Sequence, residues 1–238
     1  MSYTPTPCVG VIMLRTNFVR PVGDIGNAES FAVPALYEIV DAATIERVIH
    51  GQRDDPDLLA GFMEARDRLV ARGAQLISTS CGLLAEYQDR LQADCPVPVA
   101  ASSLFQITRR EREFGRVGVM AMDGRSIDAA RLRAVGAPED TAVVGLEQGD
   151  ELYRVLSANR ADLPLDHQKA TRDVIEAGQQ LLERAPDIGA IVFECTNLPP
   201  YRAALSEALA LPVFDILTWI EEVWQEAGPH QPVTGDRN

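Results

Sequence analysis

Apolar residues in this chain form short unbroken runs, separated by longer stretches where they recur every three or four positions. Val9-Gly10-Val11-Ile12-Met13 is one such run, brief and partly β-branched, the pattern of a strand buried on both faces. Val117-Gly118-Val119-Met120-Ala121 is nearly the same string. Two further runs, Ala74 to Ser80 (AQLISTS) and Ala190 to Glu194 (AIVFE), each lead directly into a cysteine, Cys81 and Cys195. Helical spacing follows both: Leu83, Leu84, Tyr87 and Leu91 in the first case, Leu198, Tyr201, Leu205 and Leu209 in the second. Pro98-Val99 and Pro212-Val213 then each begin 17 residues after their cysteine. Order and spacing repeat together, so the pattern predicts two copies of one α/β unit.

Helices are signalled between these strands. In DDPDLLAGFMEARDRLVARG, Asp55 can cap, Pro56 suits the first helical position and Gly73 can end the helix. Leu58, Leu59, Phe62, Met63, Leu69 and Val70 then share a face. Val174, Ile175, Leu181 and Leu182 do the same in the second half. Alternating strands and helices imply parallel sheets covered by helices on both faces, with right-handed crossovers. The fold class expected is therefore α/β: two similar lobes, each a parallel sheet flanked by helices, related by a pseudo-twofold axis with the active site between them. Ligands of open parallel sheets bind beyond the carboxyl ends of the strands, where both cysteines sit. The polar, Pro/Gly-rich tail from Gly228 onward is expected to be loose.

Composition narrows the functional classes. A hydrophobic share of 46% and a charged share of 24% suit an ordinary globular protein. The net charge of −13 argues against nucleic acid and against anionic lipid as partners. The amino-terminal MSYTPTPCVGVIML lacks a basic n-region, and no apolar run reaches the ~18 residues of a membrane helix. A cytoplasmic location is expected, where four cysteines (Cys8, Cys81, Cys95, Cys195) are not a disulfide framework. The single lysine, Lys169, falls in an amphipathic helix and is a poor Schiff-base candidate for pyridoxal phosphate. Neither G-x-G-x-x-G nor G-x-x-x-x-G-K-[ST] occurs, and His50, His167 and His230 lack metal-ligand spacing. No cofactor and no metal are expected.

Two thiols facing one cleft constitute an acid and a base. A thiol titrates near ~8.5 in isolation, and a helix N-terminus is expected to lower that value for Cys81 and Cys195. One sulfur can remove a proton from a carbon acid while the other returns one to the opposite face, or the carbanion can expel a β-substituent. Cys8, within a strand, and Cys95, in the loop QADCPVP, read as structural.

The T-x-C-G and E-C-T-N motifs on a duplicated α/β chain resemble those of the aspartate/glutamate racemase superfamily, over Cys8 to about Trp224. The resemblance implies pyridoxal-independent catalysis with Cys81 and Cys195 as acid and base on opposite faces of a substrate. RTNFVRPVGDIGNAESFAVP, CGLLAEYQ and ECTNLPPY look more like a branch that includes algal-type dimethylsulfoniopropionate lyases than like the D-S-G-x-G opening of glutamate racemases. It further implies a discontinuous first lobe, residues 1–103 plus 210–238, with 104–209 as the second.

The expected reaction is racemisation or isomerisation of an amino acid or related carboxylate at its α-carbon. Elimination by the same cysteine base is the alternative, with a non-catalytic small-ligand binder as the third option. A thiol redox role is disfavoured, because the cysteines are far apart and not in C-x-x-C form. The expected partner is a small-molecule carboxylate, and self-association is left open. Substrate contacts are expected from Asn17 and Arg20 in the loop after the first strand, Arg20 by a bidentate grip. Thr79, Ser80, Thr196 and Asn197 flank the cysteines and can cradle a carboxylate at the helix starts. Asp24 reads as a brace for the Arg20 loop, Ser102 and Ser103 as cleft residues with little support, and His167 as a surface residue.

Overall fold

The computed structural model describes residues 7–228. Among these, β1 (Cys8–Arg15), β2 (Ala35–Thr44), β3 (Ala74–Thr79) and β4 (Val99–Ala100) form one parallel sheet in the order β2-β1-β3-β4. A second parallel sheet contains β5 (Val117–Ala121), β6 (Ala142–Gly145), β7 (Ala190–Phe193) and β8 (Val213–Phe214), ordered β6-β5-β7-β8. The two orders are the same, so β3 and β7, the strands that lead toward the cysteines, occupy equivalent interior positions. The register repeats too, with Gly10 opposite Ile77 and Gly118 opposite Ile191. A methyl group at Gly10 would come within 3.0 Å of Leu69, and one at Gly118 within 2.8 Å of Leu181. The repeated glycine thus lets a helix settle directly on each sheet.

The covering helices are α1 (Pro56–Ala71), α2 (Gln88–Gln92), α3 (Ile107–Phe114), α4 (Ala129–Ala134), α5 (Leu152–Ala158), α6 (His167–Arg184), α7 (Arg202–Leu209) and α8 (Ile216–Ala227). α1 begins as its sequence dictates, the Asp55 carboxylate accepting from the N–H groups of Asp57 and Leu58 at 3.0 and 3.1 Å. Alternation along β1 sorts its side chains. Ile12 and Leu14 join Leu58, Phe62 and Leu69 on one side, while Val9 and Val11 meet Ile216 and Ile220 of α8 on the other. In the second sheet Val117 and Val119 pack with Leu104, Ile107 and Leu132, and Met120 with Val174, Leu181 and Leu205.

β8 is hydrogen-bonded to β7, whereas α8 packs on the first sheet. Residues 213 and 214, expected in the first lobe, therefore belong to the second sheet, and the chain returns at Asp215. β2 and β6 carry no strong apolar run: β2 is an edge strand whose face is largely half-exposed, and β6 spans four residues. No helix among the described residues is long and apolar enough to cross a membrane. Residues 1–6 and 229–238 lie outside the described residues, and with them His230 and nearly all of the polar tail.

The two units are tied together next to the cysteines. Ser103 donates its hydroxyl to the Phe193 carbonyl at 2.5 Å, and Thr196 donates to the Ser80 carbonyl at 2.7 Å. Gln106 adds a buried bond to the Asp215 carbonyl at 2.9 Å.

Candidate active site

β3 and β7 end at Thr79 and Phe193, and the chain turns sharply after each. The Thr79 hydroxyl fixes the first turn by bonding to the carbonyls of Ala101 and Cys81, at 2.7 and 3.0 Å. Ser80 fixes the neighbouring strand by accepting from the Leu14 N–H at 2.9 Å. These turns deliver Cys81 and Cys195 to the wall of one cavity of about 250 Å³. Phe18, Ile45, Ile49, Met122 and Leu156 give it apolar lining, while Ser80, Thr196, Asn197, Arg20 and Glu194 supply polar groups.

Each cysteine is followed by a 3-10 segment, Gly82–Tyr87 and Pro199–Tyr201, and not by an α-helix. This changes the electrostatics expected from a helix N-terminus. Cys81 and Cys195 are half-buried at the cavity wall, and loss of water dominates. Burial, then the charge of Glu194, push the Cys81 thiol up to about 12, opposed by the N–H groups of Leu83 and Leu84 and by Arg131. Burial and Glu194 likewise raise Cys195 well above an ordinary thiol. The Asn197 N–H opposes this, and charge on Cys81 or Asp24 adds to it. The two thiols are thus close enough for the ionisation of one to oppose that of the other.

Glu194 is the group that sequence reasoning passed over, although it stands inside E-C-T-N. Its residue is 4% exposed, and burial lifts the carboxyl to about 7 against the pull of Arg131. Its position depends on Gly82. A Cβ there would lie 2.5 Å from the Glu194 Oε1 and 2.3 Å from its carbonyl oxygen. An acidic residue closing the buried strand AIVF, beside one cysteine and opposite a glycine that follows the other, was the available signal.

The loop after β1 supplies a second polar cluster. Asp24, 1% exposed, accepts from the Arg20 guanidinium at 2.6 Å, the Gly26 N–H at 2.7 Å and the Asn197 amide Nδ2 at 2.6 Å. Because the Asn197 NH₂ is committed to this carboxylate, its Oδ1 faces Cys195 and accepts from the thiol at 3.5 Å. Arg20 also donates to the Thr16 hydroxyl at 2.7 Å and lies over the Phe18 ring at 4.7 Å. Asp24 therefore braces Arg20 and aims Asn197.

Six of the eight expected site residues line the cavity: Cys81, Cys195, Arg20, Ser80, Thr196 and Asn197. Asn17 does not; it is exposed, and its N–H donates to the Asn159 side chain at 2.6 Å, outside the cavity wall. Nor does Thr79, whose hydroxyl is consumed by the two carbonyls that shape the turn. His50, Asp123 and Tyr153 also line the cavity from separate loops and helices. No local pattern connects them, so the sequence offered no signal for their convergence. Cys8 is buried in β1 with its thiol on the Gly73 carbonyl at 3.2 Å, and Cys95 packs against the first core. His167 stacks on Tyr201 at 5.1 Å between ring centres.

No family model matches the chain. It is 27% identical over 220 residues to a dimethylsulfoniopropionate lyase of Durusdinium sp. clade D, covering 88% of this chain and 71% of that protein. It is 28% identical over 221 residues to dimethylsulfoniopropionate lyase 7 of Emiliania huxleyi, covering 89% of this chain and 64% of that one. Among solved structures, unliganded arylmalonate decarboxylase superposes with a TM-score of 0.61 at 16% identity, covering 95% of this chain and 94% of that one. Glutamate racemase from Francisella tularensis gives a TM-score of 0.57 at 14% identity, with coverage of 93% and 81%. The repeated sheets, the paired cysteine turns and these likenesses agree: the chain has the fold of arylmalonate decarboxylase and the aspartate/glutamate racemase-type proteins, and in sequence it resembles the dimethylsulfoniopropionate lyases.

Proposed function

We propose that the protein is a cofactor-independent enzyme that removes the α-proton of a small carboxylate and expels a β-substituent. The observation that carries this reading is the convergence of Cys81 and Cys195 on one cavity. The first step is the one a racemase would use, and two features favour elimination over racemisation of an acidic amino acid. The sequence relatives are lyases. The cavity lining also carries Glu46 and Glu194, neither in an ion pair among the described residues, whereas Asp123 is paired with Arg125 and Arg20 with Asp24. A second carboxylate on the substrate would meet repulsion there, whereas an onium group would be attracted and can rest on the Tyr153 ring.

In the proposed reaction a thiolate takes the α-proton and forms S–H. The released electron pair forms the α–β double bond, and the β-carbon–sulfur bond breaks with its pair going to sulfur. A sulfonium carboxylate thus yields a neutral sulfide, an acrylate and one proton. The backbone N–H groups of Leu83 and Leu84 at Cys81, and that of Asn197 at Cys195, support the negative charge that a sulfur carries when it acts as base.

The test is incubation with dimethylsulfoniopropionate, and with a panel of amino acids, in D₂O. Headspace detection of dimethyl sulfide with acrylate in the NMR spectrum is expected, and Cys81→Ser or Cys195→Ser should lower it at least about 100-fold. Deuterium exchange with inversion of an amino acid, without sulfide release, would replace elimination by racemisation. Ligand binding with neither exchange nor product would leave a binding protein and overturn both.

A further inference from the structure

The polar groups on the cavity wall are not equivalent as donors. Thr196 gives its hydroxyl hydrogen to the Ser80 carbonyl at 2.7 Å, and Ser126 gives its own to the Asp123 carbonyl at 2.7 Å. The Asn197 NH₂ bonds to Asp24 at 2.6 Å. Ser80 and Thr16 differ. Each hydroxyl oxygen accepts a bond, but neither hydroxyl hydrogen has an acceptor among the described residues. We infer that these two hydroxyls, backed by Arg20, form the subsite for the substrate carboxylate. The inference rests on the proposed onium-carboxylate substrate. Of the carboxylate contacts expected from sequence it keeps Ser80 and Arg20, and it adds Thr16.

Both oxygens are held in place by the protein. Ser80 is 7% exposed, and its Oγ accepts from the Leu14 N–H at 2.9 Å. The Ser80 N–H bonds to the Ile12 carbonyl at 2.9 Å, which fixes the residue against β1. The Thr16 Oγ1 accepts from the Arg20 guanidinium at 2.7 Å, and Asp24 holds that guanidinium at 2.6 Å. Accepting these bonds polarises each hydroxyl and strengthens it as a donor. A buried donor left unmet is costly, and on a cavity wall a ligand is the group that can meet it.

One anion can reach both groups. Thr16 lies two residues beyond Leu14, a distance of at most roughly 7 Å along the chain. A carboxylate spans such a gap by giving one oxygen to each hydroxyl through short, charge-assisted bonds. Because Arg20 is paired with Asp24, the subsite offers hydrogen bonds and little net charge. That suits the single carboxylate of a zwitterion, and Glu46 and Glu194 on the same wall leave no place for a second.

The probe is 3-(trimethylammonio)propionate, compared with its primary amide by isothermal titration calorimetry, a readout that needs no turnover. The parent protein should bind the carboxylate at least about tenfold more tightly than the amide. Thr16→Val keeps the shape and removes the hydroxyl; it should weaken carboxylate binding about tenfold and leave the amide within about threefold. Thr16→Ser should restore the preference. Ser80→Ala should act as Thr16→Val does, with circular dichroism to verify folding because the Leu14 N–H loses its acceptor. Asn17→Ala, outside the cavity wall, should change neither affinity. A parent with no preference for the carboxylate overturns the inference, as does Thr16→Val binding both probes as the parent does. Equal weakening of both probes marks a packing role and equally overturns it. Sulfide release from dimethylsulfoniopropionate is measured alongside. Its absence, with the carboxylate preference and its dependence on the hydroxyls intact, would overturn elimination and leave this subsite standing.

Discussion

Gly82→Ala adds one methyl group at the place where the two halves of the site touch. Gly82 is not among the residues with positive φ, so alanine fits its backbone and only the contact changes. The new Cβ would stand 2.3 Å from the Glu194 carbonyl oxygen and 2.5 Å from Oε1. Even a tight 3.0 Å contact requires the carbonyl to retreat by roughly 0.7 Å, since 3.0 − 2.3 = 0.7. Overpacking of this kind costs about 1–3 kcal/mol. For a chain of this length that lowers Tm by about 2–4 °C per kcal/mol. The retreat also carries Cys195, the next residue, away from Cys81, and a displacement approaching 1 Å in a reacting constellation lowers kcat by about 100-fold. Thermal unfolding by circular dichroism reads the first effect and turnover the second. Gly115→Ala is the control. Gly115 has φ +80° with nothing within 4 Å of a Cβ, so alanine there strains the backbone by about 1–3 kcal/mol without touching the site. It should lower Tm and leave kcat intact. If Gly82→Ala melts within 1 °C or so of the parent and turns over within about threefold, Glu194 is not packed on Gly82 and the close approach of the two halves does not set the site.

Three further outcomes are expected. Burial raises Glu194 from 4.5 to about 7, so the folded state binds the extra proton between those values and stability falls as pH rises through that window. Glu194→Gln should therefore unfold at higher urea than the parent at pH 8, by up to the order of 3 kcal/mol, and show no advantage below about pH 4.5; equal curves at pH 8 would contradict the burial argument. Asp24→Ala leaves the Arg20 guanidinium and the Asn197 amide without their shared carboxylate, and should cost about 3–5 kcal/mol by urea titration, with a raised KM in whatever protein remains folded. Finally, two N–H groups and Arg131 favour ionised Cys81, whereas Asn197 Oδ1 accepts from the Cys195 thiol and Asp24 opposes its charge. Peptide mapping after limited alkylation should thus find Cys81 modified before Cys195; the reverse order would contradict this electrostatic reading.

The amino-acid sequence by itself determined the duplicated α/β plan, because the determinants are local. A short β-branched run buries on both faces, a capped amphipathic stretch follows it, and the matching interval from cysteine to the next strand makes the repeat visible. Asp55 and Pro56 marked the start of α1 for the same reason. Cys81 and Cys195 were legible because both stand at equivalent strand ends. The edge strand β2 was less so, since its half-exposed residues mix polar and apolar types. What only the tertiary structure decided is which side chains face the shared cavity and what charge they carry. Asn17 and Thr79 satisfy the motif, but one bonds outside the cavity wall and the other is spent on two carbonyls. The thiol ionisation expected from helix starts is reversed by burial and by Glu194, quantities that depend on how two distant strand ends approach. Glu194 lies beside Cys195 in the chain but gains its significance from Gly82, 112 positions earlier, where the absent side chain lets the two halves meet. Local pattern fixes where a chain turns, whereas desolvation and close approach are set by every segment that arrives at the same point.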